Sequence, residues 1–167
     1  RRKPRIAILS TGDEIVMPGA PMRADQIVSS NSVALVAYAA VLGAEGTSIG
    51  IAEDKPESLR ERLKDATGFD VLVTSGGASV GAHDLVQSVF GDEGLELGFY
   101  KIAMRPGKPL IFGNIGGTYL LGLPGNPVST GVTSAIFLKA AVESMLGMVP
   151  GPLYQAARLG RDLKANG

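Results

Sequence analysis

Four polar loops of the sequence each follow an apolar run, and their residue types suit a charged ligand. The first contains Asp13 and Glu14, two adjacent carboxylates beside the flexible Gly12. Carboxylate oxygens are ligands that Mg²⁺ prefers. An Asp in a turn can equally bond the backbone, which is the alternative role for Asp13.

The second loop follows the apolar run 71–74 and supplies glycines and hydroxyl groups. Glycine lets backbone N–H groups converge on a phosphate, and the start of the following helix favours negative charge. The spacing fits neither the P-loop nor the dinucleotide motif, and a plain tight turn is the alternative. Asp84 is predicted to cap the next helix, or to be a further carboxylate at a magnesium site. The residues that suit an anion here are Ser75, Gly76, Gly77, Ser79 and Gly81.

The third loop carries Lys101, Arg105 and Lys108 in an otherwise neutral chain. On a predicted strand, Lys101 and Arg105 share one face and lie roughly 13 Å apart at ~3.3 Å per residue. The following Pro–Gly turn redirects the chain and can return Lys108 towards them. These cations suit an elongated anion, and a solvated basic surface is the alternative.

The fourth loop precedes the last predicted helix. Asn126 suits the N-cap position and Pro127 the first helical position. We expect the N–H groups at this helix start to face an anion, with Ser129 as an extra donor. Structural capping alone is the alternative, and Pro124 and Gly125 complete the segment.

The elements that must position these loops alternate along the first half of the chain. Such alternation is typical of βαβ units, so we predict a three-layer α/β/α fold with a mostly parallel, mixed sheet. Open α/β sheets bind ligands at the carboxyl ends of their strands, and we expect the four loops to meet there. The segment 11–30 is predicted to be a long loop. Strands are predicted at 5–10, 47–51, 71–74, 98–104, 110–113 and 118–121, and helices at 32–42, 57–67, about 84–90 and about 128–146.

Composition narrows the classes of function. The 167 residues include 16 basic and 16 acidic residues, so no net charge attracts nucleic acid or a membrane surface. The chain has no cysteine and a single histidine, which excludes disulfides, thiolate metal sites and a multi-histidine zinc site within it. A Ser/His/Asp arrangement is not available either. No apolar run approaches ~18 residues, and we expect a cytoplasmic protein without a signal peptide.

In order, six short segments resemble the molybdopterin molybdenumtransferase family, which includes the C-terminal part of gephyrin. The likeness spans positions 5 to about 147. One departure is Ser29-Ser30-Asn31, where the family often has Asp-Ser-Asn or Asp-Thr-Asn. The segments are Ser10 to Glu14, Gln26-Ile27 with Asn31, Gly50-Ile51 with Asp54, Thr74 to Gly81 with Asp84, Met104 to Pro109, and Gly122 to Ser129.

The resemblance implies the fold shared with molybdopterin adenylyltransferases. It implies insertion of molybdate into adenylylated molybdopterin with release of AMP, aided by Mg²⁺. It also implies a homodimer and possible contact with the adenylyltransferase. Asp13, Glu14 and Asp84 would be the catalytic residues and metal ligands. The substrate-binding residues would be Thr11, Gly12, Asn31, Asp54, Ser75, Gly76, Gly77, Ser79, Gly81, Lys101, Arg105, Lys108, Pro124, Gly125, Asn126, Pro127 and Ser129.

Domain organisation follows from the same likeness. Residues 1–149 are expected to form the molybdopterin-binding domain, and 150–167 a linker and the start of a C-terminal β-domain. The family has two further N-terminal domains that supply active-site acids, so this chain is expected to bind substrate but turn it over poorly. The alternatives to the molybdenumtransferase function are a molybdopterin adenylyltransferase, a nucleotide-processing hydrolase of this fold, and a non-catalytic scaffold.

Overall fold

A computed structural model describes residues 2–76, 82–151, 156–158 and 160–162, with residues 82–84 described by their backbone alone. Eight strands, five α-helices and one π-helical segment account for most of these residues. In chain order they are β1 (Arg5–Thr11), β2 (Ile15–Val16), β3 (Ile27–Val28), α1 (Ser30–Val41), β4 (Glu45–Ala52), α2 (Pro56–Asp65), β5 (Val71–Gly76), α3 (Ala82–Asp92), β6 (Glu96–Tyr100), β7 (Ile111–Ile115), β8 (Thr118–Leu123), α4 (Pro127–Thr133), a π-helical segment (Ser134–Leu138) and α5 (Lys139–Leu146).

Six strands form one mixed sheet in the order β4-β1-β5-β8-β7-β6. Strands β4, β1, β5 and β8 run parallel, and β7 is antiparallel to β8 and β6 to β7. The prediction of a mostly parallel sheet with antiparallel strands in the second half is confirmed. Strands β2 and β3 form a separate parallel pair, so the segment predicted as one long loop contains a short ladder of its own.

Helices cover both faces of this sheet. Helix α1 and the α4–α5 stretch bury Leu35, Leu138 and Val142 against one face, while α2 and α3 bury Leu59 and Phe90 against the other. The central strands are buried on both faces, as expected for parallel strands between two helical layers. The three-layer α/β/α prediction is therefore confirmed. In the part of the chain that the structure describes, no helix is both long and apolar enough to cross a membrane.

Sequence signals explain where two of the helices begin or end. Pro56 occupies the first turn of α2, where its missing N–H costs nothing. Gly147 adopts the left-handed conformation that ends α5, with φ 80°. The last predicted helix is present as one stretch from Pro127 to Leu146, and the π-helical segment widens its middle.

Two local predictions are wrong. The strand predicted at 98–104 ends at Tyr100, because Lys101 turns the chain with φ 64°. Lys101 and Arg105 therefore do not share a strand face. Helix α3 begins at Ala82, so Asp84 lies inside it and is not its N-cap.

Gly76 marks the closest approach between the ends of β1 and β5. Its φ of +123° lies in the left-handed region that favours glycine. A Cβ atom there would also overlap the backbone carbonyl oxygen of Thr11. Both the conformation and the space therefore require glycine at the end of β5.

We predict that Gly76→Ala destabilises the fold by about 3 kcal/mol or more, because backbone strain and steric overlap act together. Gly68→Ala is a matched control, since Gly68 also has a positive φ of +82° but open space around its Cβ position. The control should lose only about 1–2 kcal/mol from backbone strain. Urea unfolding measures both, and equal losses would contradict the close approach.

Candidate functional site

The parallel strands end at one edge of the sheet, and a pocket of about 250 Å³ opens there. Ser10 from β1 and Ser75 and Gly76 from β5 form part of its wall. Asn31 at the start of α1 and Asn126 before α4 complete the opposite side. Three of the four loops singled out in the sequence therefore contribute to one pocket: those containing Glu14, Gly76 and Asn126.

Asn31 joins the separate segments of this pocket. Its side-chain Nδ2 donates to Ser75 Oγ at 3.0 Å and to the Gly125 carbonyl oxygen at 2.8 Å. Ser75 Oγ in turn donates to the Pro124 carbonyl oxygen at 3.5 Å. One amide thus fixes the start of α1 against the end of β5 and the loop that leads into α4.

The start of α4 is capped by its own chain. Asn126 Oδ1 accepts hydrogen bonds from the backbone N–H groups of Val128, at 3.0 Å, and Ser129, at 3.2 Å. The N-cap prediction is confirmed. The expectation that these N–H groups face an anion is wrong at these two positions, because Asn126 already occupies them.

Acidic residues gather beside the pocket at the ends of β1 and β4. Asp13 Oδ1 accepts a hydrogen bond of 3.0 Å from the Asp54 backbone N–H. Burial raises the pKa of the Asp54 carboxyl, and the charges of Asp13 and Glu14 raise it further. Glu14 lines the pocket itself. Thus Asp13 does bond a backbone group, but one 41 residues away rather than in its own turn.

No three acidic, histidine or cysteine side chains among the described residues are arranged to hold a metal ion. The Asp84 side chain lies outside the described residues, so the metal set of Asp13, Glu14 and Asp84 stays a prediction. Gly77, Ser79 and Gly81 also lie outside the described residues.

The cationic loop lies at the same edge, because β7 begins opposite Gly122 near the end of β8. The Ile102 N–H donates to the Lys108 carbonyl oxygen at 3.0 Å, so the turn does return the chain at Lys108. Lys101 Nζ lies 4.5 Å from the ring centroid of Tyr100. Gly107 packs against the Thr133 side chain of α4. The loop is therefore a neighbour of the pocket and does not form its wall.

Thr11 and Gly12 hold the end of β1 in place. The Gly12 N–H donates to the Ala52 carbonyl oxygen at 3.1 Å. Thr11 is buried, and its Oγ1 has no hydrogen-bond partner among the described residues. Pro127 lies in the pocket wall, whereas the Ser129 carbonyl oxygen accepts a 2.7 Å bond from Thr133 Oγ1.

Two buried serines of the pocket wall, Ser10 and Ser29, were not among the predicted site residues. Their hydroxyl oxygens lie 2.9 Å apart. The sequence offers two signals for Ser10, because it is the polar last residue of the strand predicted at 5–10 and the first residue of the segment Ser10 to Glu14. Nothing in the sequence pairs it with a residue 19 positions away. The apolar part of the wall, from Ile15, Ile27 and Val28, was also missed.

A larger groove of about 540 Å³ lies at the opposite edge of the sheet. Lys64 and Gly68 line it near the start of β5. Its Arg60 is already paired with Asp92 and Glu93. None of the predicted site residues lines this groove, so we place the candidate site at the carboxyl edge.

Comparison with known proteins agrees with this geometry. Residues 7–144 match the protein family described as "Probable molybdopterin binding domain". That match covers most of the chain, so the chain belongs to this family of α/β domains. The predicted resemblance and fold class are confirmed.

Individual relatives carry more specific names. A protein named molybdopterin molybdenumtransferase from Nostoc sp. is 37% identical over 99% of this chain and 39% of its own length. Molybdopterin molybdenumtransferase 2 from Mycobacterium tuberculosis is 36% identical over 89% of this chain and 38% of its own length. A solved structure of a molybdopterin biosynthesis MoeA protein from Pyrococcus horikoshii is 39% identical. It superposes with a TM-score of 0.81 over 87% of this chain and 36% of its own. The chain therefore spans about two fifths of the length of the curated relatives that it matches.

We predict that Asn126→Ala lowers stability by about 1 kcal/mol, because two N–H groups at the start of α4 lose their acceptor. For a chain of this size the melting temperature should fall by about 2–4 °C. Asn126→Ser keeps a capping oxygen and should melt close to the unmodified protein. Thermal unfolding followed by circular dichroism measures both. An unchanged melting temperature for Asn126→Ala would contradict the capping role.

Proposed function

We propose that this chain is the substrate-binding domain of an enzyme that inserts molybdate into adenylylated molybdopterin and releases AMP. Membership of the molybdopterin-binding family and the names of its relatives support the substrate class. The observation that carries the proposal is a pocket at the carboxyl edge of the sheet, to which the end of β5 and the loops after β1 and β8 all contribute.

The pocket suits a phosphate-bearing ligand because its wall supplies hydroxyl and amide groups. Ser75 and Gly76 with Asn126 would hold phosphate oxygens near the ends of β5 and β8. Lys101, Arg105 and Lys108 would neutralise the outer charges of an elongated ligand from the neighbouring loop. The remaining predicted residues of the second loop, Gly77, Ser79 and Gly81, would extend this binding surface.

The acidic residues beside the pocket offer two candidate ligands for a divalent cation, since no set of three is arranged among the described side chains. Burial raises the pKa of the Asp54 carboxyl most, and repulsion by the negative charges of Asp13 and Glu14 raises it further. A cation would relieve that repulsion. Bound Mg²⁺ would neutralise negative charge on the phosphate groups of the ligand. We propose Asp13 and Glu14 as its ligands, with Asp84 as a third.

Cleavage of the phosphoanhydride that releases AMP would then depend on positioning and electrostatic stabilisation, as phosphoryl chemistry generally does. The chain spans about two fifths of its curated relatives, so turnover would require the remaining parts of such an enzyme.

We further propose a cytoplasmic homodimer that receives its substrate from the adenylyltransferase. Residues 1–149 would be the domain proper, and the segment from 150 would lead into the next domain.

We predict that this chain binds adenylylated molybdopterin, and that Mg²⁺ strengthens binding about tenfold by bridging acid and phosphate. Glu14→Ala should lose that enhancement and keep the fold. Glu96→Ala is the matched control, because Glu96 is an exposed acid at the start of β6, at the opposite edge of the sheet. Calorimetric titration with and without Mg²⁺ measures each affinity.

Two results would count against the proposal. Absence of binding by the unmodified chain would refute the substrate class. Binding that Mg²⁺ strengthens equally in Glu14→Ala and Glu96→Ala would refute the metal role of Glu14 while leaving the substrate class intact.

A further inference from the structure

Three buried serine hydroxyls form a continuous row of hydrogen bonds that starts in the pocket wall. Ser29 Oγ lies 2.9 Å from Ser10 Oγ and 2.9 Å from Ser32 Oγ. Ser32 Oγ also donates to the Ser29 carbonyl oxygen, over a longer 3.3 Å. All three side chains are at most 4% exposed. Ser10 and Ser29 face the pocket, whereas Ser32 lies behind them in α1.

The Ser29 hydroxyl bonds the two other serines and does not cap helix α1. Ser29 occupies the N-cap position of α1, where a serine hydroxyl normally accepts a bond from a backbone N–H of the first turn. Here its side chain makes no capping bond. The backbone N–H of Ser29 donates to the Val16 carbonyl oxygen at 2.8 Å, which fixes the position of the residue. The hydroxyl is thereby placed between β1 and α1.

The hydrogen bonds between the three serines can run in two donor-to-acceptor directions, because either oxygen of each pair can be the donor. Each hydroxyl donates one hydrogen bond. If Ser32 donates to the carbonyl, Ser29 must donate to Ser32 and Ser10 to Ser29, so Ser10 offers only lone pairs to the pocket. If every bond reverses, Ser32 donates to Ser29 and Ser29 donates to Ser10. The Ser10 O–H is then released towards the pocket.

When the donors reverse, the only hydrogen bond lost is the long one from Ser32 Oγ to the Ser29 carbonyl oxygen. The 3.3 Å contact to the carbonyl is longer than a good O–H···O bond, whereas both 2.9 Å bonds survive in either direction. A bond from a hydroxyl to an anionic oxygen is about twice as strong as a neutral one. An anion in the pocket would therefore favour the direction in which Ser10 donates outward.

We propose that Ser10 is a ligand-binding residue that donates to an anionic phosphate oxygen, and that Ser29 and Ser32 position and polarise its hydroxyl. This inference rests on the proposed function, because it requires a phosphate-bearing ligand in this pocket. Within the described part of the chain, Ser10 Oγ has a single hydrogen bond, to Ser29, so its remaining capacity is available to that ligand.

The test measures the dissociation constant of adenylylated molybdopterin for single and double variants by calorimetry. Ser10→Ala should weaken binding about tenfold or more, as expected for loss of a hydrogen bond to a charged group. Ser29→Ala should weaken it about threefold. The variant with both changes should bind no more weakly than Ser10→Ala, because Ser29 acts through Ser10.

Controls separate positioning from folding. Ser48→Ala removes another buried hydroxyl, on β4, that has no hydrogen-bond partner among the described residues, and it should bind like the unmodified chain. Ser29→Thr keeps the hydroxyl and should restore affinity. If Ser29→Ala unfolds, Ser29→Cys keeps the volume with a poor donor and should show the same threefold loss.

The outcomes are distinguishable from those of the proposed function. Binding by the unmodified chain that Ser10→Ala leaves unchanged would overturn this inference alone. Additive losses from Ser10→Ala and Ser29→Ala would overturn the positioning role. Absence of binding by the unmodified chain would refute the proposed function, and this inference with it.

Discussion

The close approach of β1 and β5 at their carboxyl ends is the constraint on which the site depends. Because a side chain at Gly76 would overlap the Thr11 carbonyl group, the two strands can end side by side only with glycine there. Ser10 and Ser75 are register partners on these strands, so the approach places two serines of the pocket wall side by side. Asn31 then fixes Ser75 to the loop before α4. The pocket is thus held by the ends of β1 and β5, the start of α1 and the loop capped by Asn126. These contacts restrict the side-chain rotation of Ser75, Asn31 and Asn126.

The layers decide where a ligand can bind. Helices cover both faces of the sheet, so polar groups are available mainly where strands give way to loops. The carboxyl edge collects unlike groups in separate sectors: hydroxyls and amides in the pocket, acids at the ends of β1 and β4, and cations between β6 and β7. This separation suits a ligand that is long, anionic and partly neutralised by a metal ion. The chain belongs to a family described as a probable molybdopterin-binding domain.

Much of the fold could be predicted from the sequence, because the pattern of apolar runs and helix caps is local. The alternation of strands and helices, the glycine that ends α5 and the cap at Asn126 all have local signals. The strand predicted at 98–104 was wrong beyond Tyr100, because Lys101 has a left-handed conformation that turns the backbone and that the sequence does not signal. The serine chain was beyond prediction, because it depends on which side chains of β1 and α1 face each other across 19 residues. The expectation of free N–H groups at the start of α4 overlooked a consequence of the predicted cap, because a capping Asn accepts from those N–H groups itself, as Asn126 does here.

A crystal structure of the chain with adenylylated molybdopterin bound is the most direct test of the account. We expect the ligand's phosphate groups in the pocket between the ends of β1, β5 and β8, within hydrogen-bond distance of Ser10 or Ser75, and its outer charges towards the loop of Lys101 and Arg105. Density for the ligand in the groove at the opposite edge of the sheet, beside Arg60 and Lys64, would contradict the assignment of the site to the carboxyl edge.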